Sequence, residues 1–426
     1  MRALCGLGVR AGGSRSGLAA AEFLARRLAD AGLATEVVLD EEVLAFEARG
    51  WSVTALVRHE GQDLPLPLGS AWPWRFSPPG GGRARLSGTP AEGTAVLLES
   101  HGRRAASGAK PAVVLVDGAT TADGAYPRSD RSLPASAENP YPVFGLSKPD
   151  GEQLRRLLAG GAEVEIQYEL VAEIAPGAPR TVIARLPARA GAPPGYLLFC
   201  AHGDSDGGGP GADDNASGEA ILLEIATSWA AAVAAGEVPA PAREVRFAIW
   251  GKEIHSSRQY ARERMVQGGP ILGVLNYDQA GFGSGADQFN VEPDDLPANA
   301  GMVRVVAGVL EEFAGSEGFP ERWATNKSLG GTDSYVFSGL ESFRDGGLPA
   351  LTLFTSAWDK PAHHPRTPGM PGESWSDSDR VYVDYDLYYH SAGDTPGNTT
   401  DREPWNLGWC ARVGLVAASR YLEGLD

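Results

Sequence analysis

Histidines and carboxylates recur in this chain where apolar runs end. Tyr196-Leu-Leu-Phe-Cys200 is an apolar run bounded by glycines, and it delivers His202 and Asp204. Such a run reads as a buried strand. A glycine-rich turn follows, then Asp213-Asp214-Asn215, with twelve residues from His202 to Asp214. That length lets a loop fold back and set both side chains on one ion. Arg243-Glu-Val-Arg-Phe-Ala-Ile-Trp250 is a second such run and ends in Gly251-Lys252-Glu253-Ile254-His255. Ile271-Leu-Gly-Val-Leu-Asn-Tyr277 is a third and ends in Asp278, and a distal Tyr389-His390 precedes Asp394-Thr395. Imidazole plus carboxylate is the ligand chemistry of zinc. Open α/β sheets place their sites at the strand ends that carry these residues.

Positioning such a set needs a sheet with helices around it, and the pattern supplies them. Residues 16–32 carry helical spacing at Leu18, Phe23, Leu24 and Leu28, stopped by Gly32, and Thr35–Leu39 follows as a strand. Residues 61–95 turn proline- and glycine-rich, with Trp72, Trp74 and Phe76 interleaved. Short strands at 93–98, 112–117 and 163–170 and a helix at 150–158 come next, before strand-like sequence resumes at Thr181. Asp214 to Trp229 reads as a long helix with Asn215 and Ser217 near its N-cap. The proline- and serine-rich segment 359–381 reads as a long loop at the site.

The chain of 426 residues suits two domains, and 43% hydrophobic residues support a proper core. A net charge of −17 argues against nucleic acid and anionic membrane surfaces as partners. Cys5, Cys200 and Cys410 form no CxxC, so neither a cysteine zinc site nor a disulfide framework is indicated. No apolar run approaches the roughly 20 residues of a membrane span. One arginine and seven mildly apolar residues before Arg10 make a poor signal peptide. The expected location is cytoplasmic, or secreted if the N-terminus is incomplete.

Taken together, several motifs resemble the M28-type zinc aminopeptidases and carboxypeptidases. They are His202-x-Asp204, Gly211-Ala-Asp-Asp-Asn-Ala-Ser-Gly218, Trp250-Gly-x-Glu253, Ser257-Arg-Gln-Tyr260, Asn276-Tyr-Asp278, Gly331-Thr-Asp333, and Tyr389-His390 with Asp394-Thr395. They stand in the family's order. The resemblance implies a three-layer α/β/α sandwich with a mixed central sheet, formed by residues 1–60 and 172–426. The block 61–171 resembles the protease-associated domain inserted in many such enzymes.

What the resemblance implies about the site is specific. Asp214 matches an aspartate bridging two zinc ions. His202 and Asp278 match ligands of one ion, and His390 matches a ligand of the other. Asp204 would orient the His202 ring, and Asp394 and Thr395 would support His390. Tyr389 matches a hydroxyl that stabilises the oxyanion, with aromatic packing as the alternative. Asp333 or Asp359 could receive a substrate ammonium. The departure is at 252–254. The family has adjacent glutamates there, a general base and then a zinc ligand, whereas this chain has Lys252-Glu253-Ile254. Glu253 fits the base best, with the ligand role open. His255 could replace the lost ligand on an extended backbone, or one ion could suffice instead of two.

The implied activity is hydrolysis of a terminal peptide bond by metal-activated water, in the aminopeptidase direction. Two alternatives stand beside it: single-zinc acyl transfer of the glutaminyl cyclase type, and a non-catalytic binding protein on the same fold. Residue specificity and oligomeric state are not legible.

Overall fold

The computed structural model describes residues 1–100, 109–121, 123–128, 133–205, 209–263, 269–282, 287–327, 332–338, 347–358, 383–384 and 387–425. A central mixed sheet runs in the order Ala34–Leu39, Arg180–Leu186, Glu244–Trp250, Tyr196–His202, Ile271–Tyr277, Ala350–Trp358, Asp287–Glu292, Trp323–Thr325. Its four middle strands, 244–250, 196–202, 271–277 and 350–358, are parallel to one another. Their C-terminal ends therefore share one edge, and that edge receives His202, Glu253 and Asp278.

These strands are buried on both faces, which is why they read as unbroken apolar runs. Leu197, Phe199 and Ala201 face one cluster, together with the helices Arg15–Asp30, Gly218–Ala234, Ala300–Phe313 and Trp405–Glu423. Tyr196, Leu198 and Cys200 face another, together with Tyr260 of helix His255–Glu263 and Phe337 of helix Ser334–Ser338. The alternation is the two-residue period of a strand, and it produces the three layers expected. Arg246 is buried in the second layer, where its guanidinium lies 3.6 Å from the Tyr196 ring centroid.

A second sheet runs Gln62–Pro67, Val43–His59, Val164–Gly177, Gly80–Ser87, Ala95–Leu98, Val113–Val116, Val143–Gly145, Trp72–Pro73. It has its own core, including Val53, Leu97, Leu115, Phe144 and Ile166, closed by Leu154 of helix Lys148–Ala159. Its strands begin at Val43 and end at Gly177, beyond 61–171 on both sides, because Val43–Val57 pairs along Val164–Gly177 as one ribbon. Among the described residues no strand between 43 and 177 pairs with the central sheet. No helix of the described residues is long and apolar enough to cross a membrane.

Candidate metal centre

His202 closes the strand Tyr196–His202, and its imidazole is buried. Nδ1 lies 2.9 Å from the Asp204 backbone oxygen and 3.4 Å from Asp204 Oδ1. With Nδ1 donating, Nε2 presents a lone pair to the opposite side. There it lies 3.1 Å from Asp214 Oδ1 and 3.4 Å from Asp278 Oδ1. Ligand atoms of these three buried residues all fall within 4.8 Å of one another. Asp278 Oδ1 makes no hydrogen bond although it is buried.

Asp214 reaches the pocket through an irregular turn, not from a helix. The sequence pattern suggests a helix from Asp214, but residues 212–217 form a π-type turn with Asp214 at φ −112° and ψ 88°, and the helix begins at Gly218. The peptide bond between Asp214 and Asn215 is cis. Asn215 holds the turn to the neighbouring strand end by donating to the Tyr277 carbonyl at 2.8 Å. Gly218 is required at the next step, since a Cβ there would lie 2.5 Å from the Tyr277 oxygen.

The other oxygen of Asp214 faces His390, whose Nε2 lies 3.0 Å from Asp214 Oδ2. Asp214 thus stands between His202 and His390, the place a bridging carboxylate occupies. Asp394 was expected to support His390. Its carboxylate instead accepts the backbone N–H groups of Asp213 at 2.8 Å and Asp214 at 3.0 Å. Tyr389 stacks on the His390 ring with centroids 3.6 Å apart.

Asp204 does two things. It contacts the His202 ring, and its Oδ1 accepts the Glu253 N–H at 2.8 Å. Glu253 is thereby fixed beside His202. His255 does not share this space. The chain turns at 253–254 and becomes helical at His255, whose Nε2 lies 3.0 Å from the Glu41 carbonyl oxygen. Ile254 packs against the apolar cluster of Trp250, Tyr260 and Phe337, so no carboxylate occupies its position. Asp333 is fully buried and accepts the Ile254 N–H at 2.9 Å, which leaves it no access to a substrate ammonium. Asp359, His363, His364 and Gly331 lie outside the described residues.

The electrostatics are those of a cation pocket. Burial opposes a charge on His202, but Glu253, Asp278, Asp204 and Asp214 outweigh it and raise its pKa well above the usual value. Burial would also raise Asp214, yet its contacts with His202 and His390 hold it well below the ordinary carboxylate range. Glu253 is raised well above its usual value by burial, reinforced by Asp278, Asp333 and Asp214 against the pull of His202. Three backbone positions here carry positive φ on non-glycine residues: Ile254 at 57°, Gln279 at 54° and His390 at 50°. Such conformations persist where the surroundings over-determine them, and they concentrate at functional sites.

The motif reading passed over one supporting pair. Arg10 is completely buried and ion-paired with Glu219 at 3.3 Å. Its guanidinium also donates to the carbonyls of Gly203 and Gly211, both at 3.2 Å, joining the His202 and Asp214 loops. A signal existed for the partner: Glu219, Leu222, Ala226 and Trp229 share one buried helical stripe, and Glu219 is its only charged member.

The sequence and the fold have counterparts in known proteins. A probable lipoprotein aminopeptidase, LpqL, of Mycobacterium tuberculosis is 29% identical over 237 residues, covering 53% of this chain and 43% of that protein. A probable leucine aminopeptidase 2 of Trichophyton verrucosum is 25% identical over 275 residues, covering 60% and 48%. The chain thus spans less than half the length of these curated relatives. The fold is shared with a peptidase M28 precursor of Shewanella amazonensis (TM-score 0.61, 18% identity, 98% of this chain and 90% of that one). It is also shared with the zinc aminopeptidase BSAP of Bacillus subtilis (TM-score 0.59, 18% identity, 97% and 90%). The model of peptidase family M28 matches residues 181–413, which hold His202, Asp204, Asp214, Glu253, Asp278 and His390, and the chain belongs to that family.

Proposed function

We propose that this protein is a zinc-dependent aminopeptidase. The observation that carries the reading is the buried set His202, Asp214 and Asp278, with the Glu253 backbone tied to it through Asp204. The donor set fits zinc, with one imidazole, two carboxylates and a buried Asp278 oxygen that makes no hydrogen bond. Bound there, zinc would lower the pKa of a water molecule and polarise the scissile carbonyl.

The chain's own residues supply the rest. Glu253 takes the proton from the attacking water and returns it to the leaving amine. Asp204 fixes the His202 ring and the Glu253 backbone together, so base and ligand keep their spacing. Asp214 and His390 outline a second position. Among the described residues no third His, Cys, Asp or Glu joins them within the same reach.

The aminopeptidase direction is supported by the printed names of the relatives. Two measurements test it together: metal content of the purified protein by mass spectrometry, and cleavage of a short peptide with a free amine against its N-acetylated form. Bound zinc and loss of cleavage on acetylation support the proposal. Release of the C-terminal residue from the acetylated peptide would show a carboxypeptidase. Protein without bound metal that cleaves neither peptide would remove the reading.

A further inference from the structure

We infer that a loop of the second-sheet module, described at residues 119–121 and 123–128, is a working part of the metal centre, with Arg128 as a positioning residue for His390. The inference rests on the reading of His390 as a site residue. The loop leaves the strand Val113–Val116 and is closed on itself: Arg128 N–H donates to the Ala119 carbonyl at 2.8 Å, and Thr121 N–H to the Tyr126 carbonyl at 2.8 Å. Its other side is tied to its own module by Lys148 N–H donating to the Gly124 carbonyl at 2.9 Å.

From that base it grips the His390 turn at several points. Arg128 and Ser391 form an antiparallel bridge, and Ala392 N–H donates to the Pro127 carbonyl at 3.2 Å. Tyr126 meets Tyr388 edge to face at 5.8 Å, and its hydroxyl accepts from Asn398 Nδ2 at 3.2 Å. The fit leaves no room for a side chain at Gly393, where a Cβ would lie 2.6 Å from the Tyr126 ring.

Arg128 closes the arrangement. Its guanidinium lies 5.9 Å from the Tyr389 ring centroid, and Tyr389 stacks on His390 at 3.6 Å with 20° between the planes. Cation, phenol ring and imidazole thus form one column, and His390 at its end holds a left-handed φ of 50°. A histidine in that conformation needs outside support, and the module carrying the second sheet provides it.

The test compares Arg128→Leu and Arg128→Lys with the parent in the full chain. Its readouts are the rate of zinc loss to a chelator, and kcat and KM measured separately. Arg128→Leu is expected to lose zinc faster and to lower kcat, each by about tenfold at unchanged KM, as one cation–π contact and its alignment are lost. Arg128→Lys, which keeps a cation over the ring, should recover most of both. Parent-like zinc loss and kcat in Arg128→Leu would overturn the inference, as would a rise in KM alone, which marks a substrate contact. If the Leu variant fails to fold, Arg128→Lys decides: near-parent values uphold the column, and values lowered by more than about tenfold refute it. A parent protein that neither binds zinc nor cleaves peptides sinks the proposed function instead, so the two failures are distinct.

Discussion

Asp394 holds Asp214 by its backbone while His390, four residues earlier, holds it by its side chain. The amide of Asp214 donates to Asp394 Oδ2 at 3.0 Å, and His390 Nε2 meets Asp214 Oδ2 at 3.0 Å. One short segment therefore fixes both the position and the orientation of the central carboxylate. Asp394→Asn turns one acceptor into a donor facing an N–H. We expect a loss of about 1.5–3 kcal/mol, the range for hydrogen bonds to a charged group, in urea unfolding. Faster release of metal to a chelator should accompany it; unaltered stability and metal retention would show that the Asp213 and Asp214 amides have other partners.

Glu253→Gln separates base from ligand. If Glu253 moves the proton, kcat falls by roughly 10²–10⁴ while zinc per chain stays at the parent value. Loss of a metal equivalent in this variant would reassign Glu253 as a ligand.

Removing zinc should abolish activity reversibly and lower thermal stability. A ligand at 100 times its Kd contributes about 2.7 kcal/mol, so the melting temperature should rise on zinc addition and keep rising with the logarithm of free zinc. His202→Ala should show no such rise. A zinc-dependent rise that persists in His202→Ala would place the ion elsewhere.

The Arg10–Glu219 pair predicts a non-additive result. Both side chains are fully buried, and burial pushes Glu219 up to about 7 despite Arg10. Arg10→Ala leaves a buried carboxyl without its partner and should cost about 3–5 kcal/mol. Arg10→Met with Glu219→Leu should recover part of that loss. Equal destabilisation by the single and double variants would mean that the bonds from Arg10 to Gly203 and Gly211 matter more than the ion pair.

Gly414 tests how helix and strand set the site. It lies on helix Trp405–Glu423 against Tyr277, and an added Cβ would meet the Tyr277 hydroxyl at 1.7 Å. Gly414→Ala should destabilise the fold by about 1–3 kcal/mol, the usual cost of overpacking. The displaced Tyr277 also precedes Asp278, so metal retention should fall. A stable Gly414→Ala protein with normal zinc binding would show that the helix yields freely.

His202 and Asp278 were legible because apolar strands announce their own ends and these residues close or follow them, whereas Asp214 and His390 were read from the order of the motifs they share with the family. The start of the helix after Asp214 was not, because Asn215 and Ser217 look like caps whether they cap a helix or brace an irregular turn. His255 misled for a related reason: an extended backbone was assumed through 253–255, whereas the chain turns at Ile254 with positive φ. Asp394 was assigned to the wrong partner, since proximity in sequence to His390 says nothing of a backbone contact 180 residues away. The ribbon at 43–59 lay hidden before the proline-rich region, because composition changes only after its first strand has ended.

That ribbon bears on how the chain folds. Asp40 and Thr181 are hydrogen-bonded at 2.8 Å across a separation of 141 residues, and Ala34–Leu39 must find Arg180–Arg185 to complete the sheet edge. Closing so long a loop by random search is entropically costly and slow. The paired strands 43–57 and 164–177 bring its two ends together beforehand, since the segment between them builds a core of its own. The second module is then a folding clamp: once it has collapsed, the outermost strand of the peptidase sheet has only a few residues left to travel.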